Sequence, residues 1–103
     1  MANDLPLEDA ICRHIADGRV VILGMNLTLQ WWSVRVDGVL ADLHGGEQIF
    51  GQHAVAAVGY ERPDLKFLIR NSWGTRWGNA GYALMPAEYL THAFKAYVVL
   101  AVM

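Results

Sequence analysis

Near the start of the chain, apolar residues recur at helical spacing. Leu7, Ala10, Ile11, His14 and Ile15 stand at i, i+3, i+4, i+7 and i+8, one stripe of an amphipathic helix. Asn3 or Asp4 suits its N-cap and Pro6 its first turn, Glu8 and Asp9 lie near its positive end, and Gly18 is a left-handed terminator. Beyond Gly18 the pattern changes to that of strands. The β-branched run from Arg19 to Leu23 predicts a buried strand, and Trp31 to Val36 predicts a second, closed by Asp37-Gly38. Gly45-Gly46 marks a loop. His53 to Tyr60 and Lys66 to Asn71 predict a hairpin around the turn Arg62-Pro63-Asp64. Gly74 to Gly81 predicts a loop, Tyr82 to Met85 a strand, Pro86 to Leu90 a short helical piece, and Ala96 to Val102 a last strand. A helix followed by several antiparallel strands predicts an α+β domain, the helix packed on a small barrel-like sheet. With no repeat, linker or low-complexity tract, residues 1–103 read as a single domain.

The hairpin also places chemistry. With Arg62 at the centre of the turn, His53 and Asn71 are equidistant from it, and directly opposed residues of an antiparallel pair share a face. An imidazole and a carboxamide then lie side by side at the hairpin's open end. A side-chain carbonyl on one ring nitrogen fixes the tautomer and orientation, leaving the other nitrogen for proton transfer. A structural His–Asn contact is compatible with the same spacing.

Composition narrows the setting. Hydrophobic residues make up 54% and charged residues 17%, which excludes a disordered chain. Eight Lys and Arg against ten Asp and Glu give a net charge of −2, with no basic surplus for nucleic acid or an anionic membrane. The apolar stretch Ala96 to Met103 is too short to span a bilayer. Met1-Ala2-Asn3-Asp4 has no basic or apolar leader character, which predicts a cytoplasmic protein. Asn26-Leu27-Thr28 matches a glycosylation sequon, read as coincidence in that setting. Neither a cofactor nor a metal is expected: the four His have no metal-ligand spacing, with His14 read as a core-edge residue and His44 and His92 as surface residues. The apolar content exceeds what a small interior holds easily, so a covered surface is expected.

The segments Gly51-Gln52-His53-Ala54-Val55-Ala56-Ala57-Val58-Gly59-Tyr60, Ile69-Arg70-Asn71-Ser72-Trp73-Gly74, Trp77-Gly78 and Gly81-Tyr82 together resemble the papain-like cysteine peptidases. The match is to the region around their catalytic His and Asn, and looser similarity extends from Leu7 to Leu23 and through Met85 to Leu90. The resemblance implies the C-terminal, His/Asn-bearing half of that fold. It makes His53 the base that activates a thiol and Asn71 the residue that orients it, with Trp73 covering their hydrogen bond. Gly74, Gly78 and Gly81 would permit the loop's backbone angles, with Trp77 packed beside it. Gln52 stands where the family more often has Asn or Asp, which puts its supporting role in doubt.

The family's nucleophile and oxyanion Gln belong to its N-terminal half, and nothing in this sequence resembles Cys-Gly-Ser-Cys-Trp. The one cysteine, Cys12, lies roughly 130° from the centre of the predicted stripe, on the polar side, which predicts an inert surface or partly covered thiol. Glu8, one helical turn before it, disfavours a thiolate. Three readings follow. The chain is the His/Asn half of a cysteine peptidase whose Cys-bearing half is another subunit or was lost by truncation; or it is a non-catalytic pseudo-peptidase module that binds another protein; or Cys12 serves as nucleophile, against the helix geometry. The expected partners are a Cys-bearing half, another protein chain or a second copy, with a peptide as the substrate class. Trp31 or Trp32 and the His53–Trp73 region are expected near the interface.

Overall fold

A computed structural model describes residues 5–99. Helix α1 (Leu7–Ala16) is followed by β1 (Val20–Leu27), a 3-10 turn (Leu29–Trp32), β2 (Gly51–Glu61), β3 (Lys66–Arg70), β4 (Tyr82–Pro86), a second 3-10 turn (Ala87–His92) and β5 (Ala93–Val99). The strands form one antiparallel sheet in the order β4-β3-β2-β1-β5, with α1 packed on one face beside β1 and β2. The architecture is α+β, as the sequence predicts. Among the described residues no helix is long and apolar enough to cross a membrane.

The end of α1 follows the sequence signal closely. Gly18 takes φ +85° and donates to the Ile15 carbonyl at 2.9 Å, while Arg19 donates to His14 at 2.9 Å. These paired bonds satisfy carbonyls that the helix leaves over. At the other end Pro6 occupies the N-cap with no side-chain cap, and the predicted caps Asn3 and Asp4 lie outside the described residues.

The buried stripe differs from the predicted one. Ile11 and Cys12 are buried with Glu8 and Ile15 half-buried, whereas Leu7 is exposed. The helix is rolled so that Cys12 points inward, at 6% exposure, and the expectation of a polar-side thiol is overturned. With only ten residues in α1, the edge position Leu7 has little weight against Ile11, Cys12 and Ile15, which the sheet can cover.

A second difference concerns Trp31 to Val36, where no strand forms. The Trp31 carbonyl instead accepts a hydrogen bond from the buried Trp77 indole N–H at 2.7 Å, which anchors a 3-10 turn where a strand was expected. The turn buries Trp31 completely and leaves Trp32 52% exposed. One tryptophan therefore enters the core and one faces out, as expected, although strand alternation is not the cause. The second 3-10 turn runs to His92, and β5 begins at Ala93, earlier than predicted. The predicted extension of that strand to Val102 lies outside the described residues.

The hairpin register decides what the site becomes. Near the turn Glu61 faces Lys66, Tyr60 faces Phe67 and Gly59 faces Leu68; beyond it Ala57 faces Ile69 and Ala56 faces Arg70. Val58 is an extra residue in β2, a bulge opposite the step from Leu68 to Ile69. Continuing the ladder puts Asn71 level with Val55, two residues from the symmetric pairing with His53. A shift of two preserves the face, and His53 reaches Asn71 as a diagonal neighbour. Without the bulge the offset would be odd, and the two side chains would point to opposite faces.

Deletion of Val58 removes the extra residue and leaves Ala57 opposite Ile69, so the His53–Asn71 hydrogen bond should survive it. Insertion of one alanine after Val58 should instead lose the bond or abolish the cooperative transition. Val58→Ala should cost about 1 kcal/mol or less in urea unfolding. A bond lost in the deletion variant, or kept in the insertion variant, by NMR would refute the parity argument.

Candidate active site

His53 and Asn71 arrive from neighbouring strands at the same end of the sheet. The His53 Nε2 to Asn71 Oδ1 distance is 2.7 Å. Asn71 is 4% exposed, and its backbone N–H donates to the Gly81 carbonyl at 3.0 Å, tying the end of β3 to the start of β4. Its Oδ1 also accepts the Ser72 backbone N–H at 2.8 Å. Because a backbone amide can only donate, this bond identifies which end of the carboxamide faces the imidazole. The imidazole must donate from Nε2, which leaves a lone pair on Nδ1. The Ser72 hydroxyl lies 3.4 Å from Nε2 and takes a weak second share of that proton. Asn71 Nδ2 is buried without a hydrogen-bond partner among the described residues.

Trp73 covers the imidazole of this pair. Its ring stacks on His53 at 5.3 Å between centroids and 27° between planes. Beyond it Trp77 meets Trp73 edge-on at 6.0 Å, Trp31 stacks on Trp77 at 6.1 Å, and Tyr89 meets Trp31 edge-on at 6.2 Å. The series ends where the Tyr89 hydroxyl donates to the Ala41 carbonyl. Burial first, and the nearby Glu88 carboxylate second, hold the Tyr89 phenol well above its ordinary pKa, so it remains a neutral donor. The ring of His53 is thus braced through four aromatic side chains into the core. The loop carrying Trp73 and Trp77 needs glycine at Gly78, where φ is +59° and an added Cβ would lie 2.4 Å from the Tyr82 carbonyl oxygen. Gly74 and Gly81 also adopt positive φ, +93° and +92°.

Gln52 is not drawn into this arrangement. It precedes His53 on β2 and so points to the opposite face, where its Nε2 donates to Asn26 Oδ1 at 3.1 Å. Trp32 does join it, packing against Trp73 at 5.3 Å. Trp32 also lines an open cleft of about 690 Å³ with Leu29, Gln30, Phe50 and Glu47. Glu47 caps the adjacent loop, accepting the His44 N–H, the Gly45 N–H at 3.1 Å and Gln30 Nε2 at 3.2 Å. The bond from the His44 backbone, the largest cause, lowers its pKa. Two features escaped the sequence reading: the Ser72 amide that fixes Asn71, and the depth of the aromatic series. Only the adjacency of Asn71 and Ser72 hinted at the first.

Cys12 is remote from all of this. Its Sγ lies 3.9 Å from the Arg62 guanidinium, beyond the far end of β2 from His53. The strand between them spans roughly 25 Å at ordinary rise, so no dyad forms. Burial pushes the thiol pKa up, and Arg62 offsets only part of that. Of the other histidines, His14 is half-buried with Nδ1 accepting from Arg19 Nε at 3.1 Å, His44 is exposed, and His92 is half-buried, less open than predicted. No group of three or more His, Cys, Asp or Glu suited to a metal occurs among the described residues.

A helix on an antiparallel sheet, with an Asn-oriented histidine under a tryptophan, defines the His/Asn side of a papain-like fold. The profile of the papain family of cysteine proteases matches residues 2–99, and the chain belongs to that family. An uncharacterised peptidase C1-like protein of Acanthamoeba polyphaga mimivirus is 50% identical over 93 residues, covering 85% of this chain and 30% of the relative. Cathepsin K of Gallus gallus is 36% identical over 80 residues, 76% of this chain and 24% of that protein. Among solved structures, the cysteine protease xylellain of Xylella fastidiosa superposes with TM-score 0.79 at 29% identity, covering 92% of this chain and 37% of that one. The chain thus spans between 24% and 37% of the length of these proteins.

Two outcomes test the local geometry. The His53 Nε2 proton should be slow enough in exchange to be seen by NMR, and Asn71→Ala or Trp73→Ala should bring it into rapid exchange with water; a persistent signal in both variants would refute the assigned roles. Cys12 should react with iodoacetamide at neutral pH at least about tenfold more slowly than an unhindered thiol, as a buried, protonated cysteine does. Urea should remove that protection, and fast labelling of the folded chain would contradict the inward-facing helix.

Proposed function

We propose that this chain is the His/Asn half of a cysteine peptidase, inactive alone, whose nucleophile and oxyanion donor come from a Cys-bearing half. The observation that carries this reading is the His53–Asn71 bond, which leaves the Nδ1 lone pair of an oriented imidazole without a hydrogen-bond partner among the described residues. A thiol brought to Nδ1 would give up its proton there, and Asn71 Oδ1 would stabilise the resulting imidazolium from the other side. The thiolate attacks the scissile carbonyl of a peptide and the C–N bond breaks as the imidazolium protonates the leaving amine. Water, deprotonated by the same imidazole, then cleaves the thioester and restores the thiol. Exclusion of water by Trp73 strengthens the His–Asn bond by lowering the local dielectric. The cleft beside Trp32 is the natural place for one side of the peptide, because Trp32 links it directly to the aromatic cover of His53.

The chain alone should show no turnover of fluorogenic peptides. Co-expressed with a Cys-bearing N-terminal half of a papain-family cysteine protease, it should gain turnover. His53→Ala should lower that activity by on the order of 10³-fold, the scale of a lost general base, while Cys12→Ser leaves it unchanged. Turnover by the lone chain that vanishes in Cys12→Ser would overturn the reading. A folded complex without turnover would favour the non-catalytic binding module.

A further inference from the structure

The two edge strands of the sheet differ. β4 is covered on its outer side by residues 38–40: Leu40 donates to the Leu84 carbonyl at 3.0 Å, and Leu84 donates to the Gly38 carbonyl at 2.6 Å. β5 pairs with β1 along one side, and no described residue pairs with its other side. Its faces are open as well. Phe94, Lys95, Ala96 and Tyr97 are exposed in succession, although Leu23 and Gly24, beside them in β1, are buried. Tyr97 is 54% exposed, with Phe94 and Val99 also in water. A strand open along its backbone and on both faces, with large apolar side chains, is a template for another strand.

Side-chain alternation restricts how two such edges can meet. Val98 and Ala96 are level with Val21 and Leu23 and share the α1 face, while Tyr97 and Lys95 are level with Ile22 and Gly24 on the other. Two copies related by a two-fold axis pair antiparallel, and the axis must pass level with a residue. Between residues it would oppose side chains of different faces. An axis at Lys95 sets that ammonium against its own copy. An axis at Ala96 brings Val98 opposite Phe94, the extra residue of the β5 bulge, whose ring occupies the space beside Gly24. An axis at Val98 engages only three described residues. An axis at Tyr97 pairs the regular stretch from Lys95 to Val99 in full and opposes no like charges.

We propose that a second copy of this chain docks on β5, antiparallel, with Tyr97 on the two-fold axis. Lys95 then lies opposite Val99, Ala96 opposite Val98 and Tyr97 opposite its own copy, which joins two five-stranded sheets into one. Ala96 and Val98 prolong the apolar layer on the α1 side, and the two Tyr97 rings pack together on the other. The Lys95 positions stand roughly 14 Å apart across the axis, beyond the Debye length at physiological ionic strength. Each ammonium reaches diagonally over the Tyr97 ring of the other copy. The bulge and the lysine, devices that guard an edge, therefore protect only the Phe94 end of β5. The proposal does not rest on the proposed function, since it uses neither His53 nor Asn71.

The test uses the full chain. Sedimentation at about 100 μM should show a dimer, and amide exchange from Lys95 to Val99 should slow as concentration rises. Tyr97→Lys sets two ammoniums on the axis and should weaken self-association by about tenfold or more. Val36→Lys, the same change at an exposed residue elsewhere, should leave it unaltered. Single cysteines read the register, with Cys12 buried and out of competition. Under mild oxidation Tyr97→Cys should cross-link the dimer at least about tenfold faster than Ala96→Cys or Lys95→Cys, because a disulfide needs Cα atoms within about 7 Å. These variants decide the matter even where Tyr97→Lys fails to fold. A monomer at that concentration, self-association untouched by Tyr97→Lys, or faster cross-linking through Ala96→Cys or Lys95→Cys would each overturn the proposal. So would a dimer whose exchange protection falls on α1 or around Trp32.

Discussion

Side chains on a strand alternate between faces, so the meeting of His53 and Asn71 hangs on a residue count along β2 that the bulge at Val58 brings back to even. On the turn side of the bulge the register is offset from symmetric pairing by an odd number, and on the site side by an even one. Every later feature of the site depends on that correction. With the parity right, Asn71 can bond His53 while Val55 and Ala57 remain in the core. With it wrong, either the imidazole or the apolar residues of β2 would face the other way. The chemistry and the hydrophobic core are therefore selected by one local irregularity.

The aromatic series solves a different problem. A histidine at the open end of a hairpin sits where strands fray, and hydrogen bonds there compete with water. Trp73 removes that competition on one side, but it is itself on a loop. Its rigidity comes from Trp77, which is buried against Trp31 and bonded to that residue's carbonyl. Tyr89 and the chain around Ala41 hold Trp31 in turn. The 3-10 turn at Leu29–Trp32 thus has a reason to exist: it brings one tryptophan into the core and hands the next to Trp73.

Much of the fold was legible because local signals agreed with one another. The Gly18 stop, the hairpin around Arg62 and the glycine loop before Tyr82 are set by backbone chemistry that a sequence displays. What was not legible depended on partners distant in sequence. Trp31 to Val36 has the composition of a strand, but its fate is decided by the Trp77 indole far downstream. The roll of α1 is decided by which positions the sheet can cover, so Cys12 turns inward although its stripe neighbours suggested otherwise. The contact of His53 with Asn71 is insensitive to the register shift because the shift is two residues, which keeps both side chains on one face.

The two faces of the sheet are built from different residues. The α1 face holds a core of full side chains, from Trp31 and Tyr89 to Phe67 and Leu23. The face away from α1 carries Ala54 and Ala56, with the Arg70 and Tyr97 side chains exposed. Asn71 sits at the boundary: its backbone N–H is bonded to Gly81, its Oδ1 to His53, and its Nδ2 is buried and unpartnered among the described residues. The same carboxamide oxygen holds both the His53 ring and the Ser72 backbone N–H, so the tautomer of the base is tied to the path of the chain leaving β3. Substitution of Asn71 would release the imidazole and the Ser72 N–H together, whereas Trp73 acts on the imidazole alone.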